Sequence, residues 1–184
     1  MPIISTPLKD LFVFEPRVFN DSRGYFFESY NKNIFLHAGV DTEFVQDNQS
    51  KSTYGVIRGL HFQAPPFAQA KLVGVNSGSV LDVVVDVRVG SPTYGKSFSI
   101  NLSAENKKHL FIPRGFAHGF SVLSETAVFF YKCDNYYSKL HERGIAYNDP
   151  TLNIDWQIPL NRTIISDKDL VLPKLSDVNS EFSF

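Results

Sequence analysis

Short alternations of apolar and polar positions dominate the chain. The segments 11–16 (LFVFEP), 24–30 (GYFFESY), 43–50 (EFVQDNQS), 54–62 (YGVIRGLHF), 71–78 (KLVGVNSG), 79–89 (SVLDVVVDVRV), 94–103 (YGKSFSINLS), 109–113 (HLFIP), 119–124 (GFSVLS) and 126–137 (TAVFFYKCDNYY) are rich in β-branched and aromatic residues. Gly, Pro, Asn or Ser separates them. Such runs read as strands, and their close, regular spacing predicts an all-β sandwich or barrel. One helix is predicted at 31–38, with Asn31 as its cap and Gly39 just past its end. No repeat, low-complexity segment or linker interrupts the pattern. From about residue 138 the chain becomes more polar and loop-like, which predicts a tail packed on the barrel and a single domain over 1–184.

Side chains alternate between the faces of a strand, so parity carries information. In 79–89, Leu81, Val83, Val85, Val87 and Val89 share one face, while Asp82, Asp86 and Arg88 share the other with Val80 and Val84. The charged face is either solvated or the lining of a polar lumen that could bind a ligand. In VIRGLHF, Arg58 and Leu60 have one parity, and Ile57, Gly59 and His61 the other. Gly59 would leave open floor beside His61 for something to approach the strand.

Composition narrows the class. The hydrophobic fraction is 43%, the aromatic fraction 14%, and there are seventeen Phe and eight Tyr against one Trp and one Met, so the chain is expected to fold around a core of rings. Net charge is −1 with both signs interspersed, which argues against nucleic-acid or membrane-surface binding. A single cysteine, Cys133, excludes an intrachain disulfide and fits a reducing compartment. With no signal-peptide pattern in MPIISTPLKD and no apolar run near the roughly 20 residues of a membrane helix, a soluble cytoplasmic protein is expected.

Histidines are the first candidates for chemistry. His37, His109 and His141 have helical or charged, loop-like neighbours and read as surface residues. His61 and His118 instead close apolar strands between small residues (RGLHFQ, PRGFAH) and could be core or functional. The spacing P-x-G-x-x-H at 113–118 resembles the second motif of the cupin superfamily, and LHFQ falls where its first motif would carry H-x-H. Gln63 replaces the second histidine and no glutamate follows, so two histidines and an amide fall short of a transition-metal ligand set. No metal is expected. Lys71 is either a solvated strand end or an inward cation; Tyr131 shares parity with Phe129 and is either core or site; ISDKD (165–169) reads locally as a turn.

The combination is more specific. The blocks FNDSRGYFFESY, FVQDNQSKSTYGVIRGLHFQAPPFAQAKLV, VLDVVVDVRVGSPTYG, NLSAENKKHLFIPRGFAHGFSVLSETAVFFYKCDNYY, NDPTLNIDW and ISDKD resemble, in order and spacing, the dTDP-4-dehydrorhamnose 3,5-epimerases over about residues 8–173. The resemblance implies a cupin-type jelly roll with a few short peripheral helices, acting without cofactor or metal, as a homodimer, on a dTDP-linked 4-keto-6-deoxy-glucose inverted at C3 and C5. Carried onto matching positions, it implies His61 as general base, Asp169 as its orienting carboxylate, Tyr131 as the acid on the opposite face and Lys71 beside the keto oxygen. Arg23, Glu28, Gln46, Asn48, Arg58, His118, Glu142 and Lys168 match substrate-binding positions; Asp82 and Tyr137 match further pocket residues. A relative with narrower chemistry, epimerising one carbon or moving the ketone, is the alternative. Phe67 and Ala70 depart from the expected pattern without touching these groups.

Overall fold

The computed structural model describes residues 3–184. Two antiparallel sheets form a cupin-type jelly roll. One has six strands in the order β1 (Ile3–Ser5), β2 (Phe12–Phe14), β10 (His109–Ile112), β7 (Lys71–Ser77), β12 (Thr126–Cys133) and β5 (Gln46–Thr53). The other has five, ordered β13 (Glu142–Gly144), β6 (Ile57–Gln63), β11 (Phe116–Val122), β8 (Ser79–Asp86) and β9 (Ser97–Ser103). A separate hairpin pairs β3 (Phe19–Asp21) with β4 (Gly24–Phe26).

Three clusters fill the structure. Val73, Val75, Val80, Val84, Phe120 and Phe129, drawn from both sheets, meet between them. Leu81, Val83, Val85 and Val87 face the other way and are covered by Ile145, Leu152, Trp156 and Leu175. That polar-looking tail therefore packs on the outer face of the five-stranded sheet, as expected. Asp149 pins it, accepting from the amides of Thr151 (2.7 Å), Leu152 (3.2 Å) and Leu175 (2.7 Å). The outer face of the six-stranded sheet is covered by helix α1 (Lys32–His37) through Phe35, packed against Phe14 and Phe111. Asn31 caps α1 by accepting from the Asn33 amide, and Gly39 follows it with φ +82°.

Several readings change. Both faces of β8 are buried: Asp82, Asp86 and Arg88 are not solvated, and Asp82 meets the cavity between the sheets only through its bond to His118. His109, read as a surface residue, is 2% exposed and packed among the rings of Phe14, Phe27 and Phe130. ISDKD is more than a turn, because Ser166 caps a short helix α2 (Asp167–Leu170). The parity of VIRGLHF is broken by a bulge: His61 stands opposite His118, but Arg58 stands opposite Phe120, so three steps on β6 match two on β11. Gly59, at φ +109°, leaves no floor for a ligand. A Cβ there would lie 2.6 Å from the His118 carbonyl and 2.7 Å from Gly119 Cα, so the close approach is made by the neighbouring strand.

Candidate active site

A cavity of about 570 Å³ opens between the two sheets. β6 and β11 of one sheet contribute Arg58, His61 and His118, and β7 and β12 of the other contribute Lys71, Phe129 and Tyr131. Asn48 enters from β5, and Ile164, Ile165, Lys168 and Asp169 enter from the tail. The bulge lets Arg58 and His61, three residues apart, face the same space despite their opposite parity.

Each cavity histidine has its own carboxylate. His61 Nε2 lies 2.7 Å from Asp169 Oδ1, and the Gly59 amide donates to Asp169 Oδ2 at 3.2 Å. Burial would raise the Asp169 carboxyl, but the bond to His61, the Gly59 amide and the charge of Lys168 outweigh it, so Asp169 stays an anion below the usual carboxylate range. Its partner Nε2 is fixed as the donor, which leaves His61 Nδ1 with the free lone pair. The His61 side chain is 27% exposed. His118 Nε2 sits 2.9 Å from Asp82 Oδ2, and this second pair is closed off, at 8% and 0% exposure. Asp82 Oδ1 has no hydrogen-bond partner.

Across the cavity, Lys71 stands with its ammonium 5.8 Å from the centre of the Tyr131 ring. Burial lowers the Lys71 pKa, opposed by the pull of Cys133, Asp82 and Glu142. Burial raises that of Tyr131, with Cys133 and Glu142 acting the same way and Arg58 against, so the phenol holds its proton at neutral pH. Among the described residues, neither Lys71 nor Arg58 has a carboxylate within salt-bridge distance. Two basic side chains without a carboxylate partner in one cavity suit an anionic ligand.

The remaining expected residues divide. Asn48 lines the cavity, and Gln46 donates to its side-chain oxygen at 2.9 Å. An adjoining cleft of about 260 Å³ is lined by Gln46, Asn48, Gln69, Tyr131, Cys133 and Tyr137. Tyr137 is 57% exposed, and its hydroxyl donates to Glu142 at 2.9 Å. Glu142 also pairs with Lys168, and the two border a further cleft beside His61. Burial opposes ionisation of Glu142, but the bonds from Lys168 and Tyr137 hold it below its ordinary range. Arg23 and Glu28 line none of these spaces. Arg23, exposed at the β3–β4 turn, pairs with Asp21 at 2.6 Å, and Glu28 accepts from Asn31 at 3.0 Å. Gln63, at the position of a metal-motif histidine, braces the fold: its amide donates to the carbonyls of Phe67 (2.6 Å) and Tyr136 (3.1 Å) and accepts from the Ser138 amide at 2.6 Å. Sequence reasoning missed Ser52, Phe120, Ile164 and Ile165 around the site; Ile164 arrives by an isolated bridge to Val56, which leaves no local signal.

Comparison with known proteins identifies the family. Residues 5–177 match the family described as dTDP-4-dehydrorhamnose 3,5-epimerase. A dTDP-4-dehydrorhamnose 3,5-epimerase of Shigella flexneri is 53% identical over 180 residues, spanning 97% of this chain and 98% of its own. The crystal structure of the dTDP-4-dehydrorhamnose 3,5-epimerase from Elizabethkingia anophelis NUHP1 is 54% identical, with a TM-score of 0.92 over 96% of this chain and 97% of that one. The dTDP-6-deoxy-D-glucose-3,5-epimerase of Legionella pneumophila Philadelphia 1, solved in complex with dTDP-4-keto-L-rhamnose, is 45% identical with a TM-score of 0.93, over 97% and 95% of the two chains. The chain therefore belongs to the dTDP-4-dehydrorhamnose 3,5-epimerases, a family of isomerising enzymes.

Proposed function

We propose that this protein, a single domain over 1–184, inverts C3 and C5 of dTDP-4-dehydro-6-deoxy-D-glucose to give dTDP-4-dehydro-L-rhamnose. The observation that carries the reading is that an imidazole–carboxylate pair and a protonated phenol line one cavity from opposite sheets. A hydrogen beside a ketone can be removed because the electrons left behind spread onto the carbonyl oxygen as an enolate. His61 Nδ1 takes that proton, and Asp169 holds the tautomer and stabilises the imidazolium. Lys71, with help from His118, stabilises the developing enolate oxygen. Tyr131 returns a proton to the opposite face of the carbon, which inverts it. Once His61 has released its proton to solvent and Tyr131 has regained one, the same steps at the second carbon complete the reaction, with no net oxidation and no cofactor called for.

Binding follows from the same map. Arg58 holds the diphosphate as a bidentate donor, Asn48 and Gln46 contact the sugar nucleotide, and Tyr137 offers a face for thymine. Glu142 and Lys168 close the mouth, and Asp82 fixes His118. Arg23 and Glu28 stand on or beside a hairpin that exposes Phe19, Tyr25 and Phe26; we read them as binding residues that come to a pocket in a homodimer. A cytoplasmic enzyme fits the one cysteine, a buried free thiol. Among the described residues no helix is long and apolar enough to cross a membrane.

Turnover of dTDP-4-dehydro-6-deoxy-D-glucose in D₂O, followed by NMR of the product, tests the assignment. Deuterium at both C3 and C5 is expected. Label at one carbon only would replace this reading with a single-position epimerase, and unlabelled, unchanged sugar would discard it.

A further inference from the structure

Arg58 is exposed and, among the described residues, has no carboxylate partner, yet it is not free to swing. Its Nε donates to Ser52 Oγ at 3.1 Å. Ser52 is unusual within its own strand: along β5 the residues alternate between half-buried and exposed, and Ser52 is the one that is buried, at 7% exposure. It pairs with Ala127 on β12 of the six-stranded sheet, whereas Arg58 lies on β6 of the five-stranded sheet. The bond therefore spans the two sheets at the edge of the cavity.

We propose that Ser52 is a positioning residue that holds the Arg58 guanidinium ready for the phosphate groups of the substrate, an inference that rests on Arg58 as the diphosphate ligand. The choice of a hydroxyl has a physical reason. An Asp or Glu at this point would fix the arginine equally well but neutralise the charge that the ligand needs. A serine oxygen engages only Nε, so both terminal amino groups and the full positive charge stay available to a bidentate anion. The bulge just beyond Arg58 serves the same end, because it turns a side chain of the wrong parity toward the cavity. A long side chain that is already ordered loses less freedom when the ligand arrives.

Steady-state kinetics and dTDP inhibition on four proteins test this: wild type, Ser52→Ala, Arg58→Ala and the double variant. Ser52→Ala is expected to raise KM and the dTDP inhibition constant by about 3–10-fold while kcat stays within about twofold. Ser52→Thr, which keeps the oxygen, should restore both constants. Adding Ser52→Ala to Arg58→Ala should change neither further, because the tether acts only through the arginine. If Arg58→Ala raises both constants but Ser52→Ala does not, or if the two losses simply multiply, the positioning role is wrong and the arginine assignment stands. If Arg58→Ala itself leaves both unchanged, the phosphate assignment fails and this inference falls with it. Should the alanine variant not fold, Ser52→Cys, similar in volume and a poor acceptor, runs the same comparison.

Discussion

Asp82 and Asp86 lie on the same face of β8, four residues apart and both fully buried, yet their surroundings are opposite. Asp86 is saturated. It accepts from the backbone amide, Nε and Nη2 of Arg88 (3.0, 2.9 and 2.8 Å) and from the hydroxyls of Ser91 (2.6 Å) and Thr93 (2.7 Å). Arg88 is itself packed between the rings of Phe116 (4.4 Å) and Phe184 (5.0 Å) and reaches Asp10 at 3.2 Å. Asp82 has a single partner, His118, and one oxygen with none. A buried carboxylate whose lone pairs are filled by its own network is architecture, whereas one left short keeps negative charge for the cationic groups of a cavity. Burial pushes Asp86 up, but its donors outweigh that and hold it below the ordinary carboxylate range. The Asp82 charge acts outward, opposing the lowering that burial imposes on the Lys71 pKa.

This contrast can be broken or sharpened by experiment. The largest effect belongs to the cavity end: His61→Asn should lower turnover by roughly 10²–10⁴-fold while dTDP binding and the melting temperature stay near wild type. A variant with most of its activity would remove His61 from the proposed role. At the closed end, Asp86→Ala strands the Arg88 charge and should cost about 3–5 kcal/mol in denaturant unfolding, with kcat of the folded protein little changed. Asp82→Asn should do the reverse. It loses a charge-assisted bond to His118, worth about 1.5–3 kcal/mol, and kcat should fall about 10–100-fold. Stability should hold or rise, since an amide is cheaper to bury than a carboxylate. If Asp82→Asn unfolds the protein and Asp86→Ala stops catalysis, the distinction drawn here is reversed.

His109 extends the comparison to a buried ionisable group with no carboxylate at all. Burial pushes its imidazole from 6.5 down to about 4, against an upward pull from the Lys107 backbone. Its folded pKa lies below its unfolded one, so the unfolded chain binds the proton more tightly. The stability His109 contributes is complete above about pH 6.5 and is lost as pH falls toward about 4, amounting to about 2 kcal/mol by pH 5. His109→Phe should flatten the unfolding free energy across that window and leave activity at pH 7 intact. Asp86 and Asp169, held below 3.8, lose their contributions only in more acid solution.

How much of this could be read from the chain varies by residue. Period-two patterning placed the long strands to within a few residues, and Asn31 and Gly39 marked the ends of α1, because strand alternation and helix capping are local. Local parity could not separate the solvated from the buried reading of Asp82, Asp86 and Arg88, since the tail that covers the opposite face, Ile145 onward, lies far downstream in the chain. His109 was misjudged for a similar reason: its neighbours in sequence, Lys107 and Lys108, are polar, but its neighbours in space are phenylalanines. Parity also failed at Arg58 and His61, where the bulge shifts the pairing with β11. Gly59 was rightly seen as a point of close approach, but what approaches is backbone.

By itself the sequence determined an antiparallel β architecture, a core rich in rings, and membership of the epimerase family. Those follow from strand periodicity, composition and motif blocks that survive in linear order. Only the tertiary structure decided that His61 would meet a carboxylate 108 residues away, that Tyr131 would face it from the other sheet, and that Arg58 would be tethered by Ser52. Such meetings depend on long-range pairing, a bulge and the return of the tail, none of which local propensity specifies.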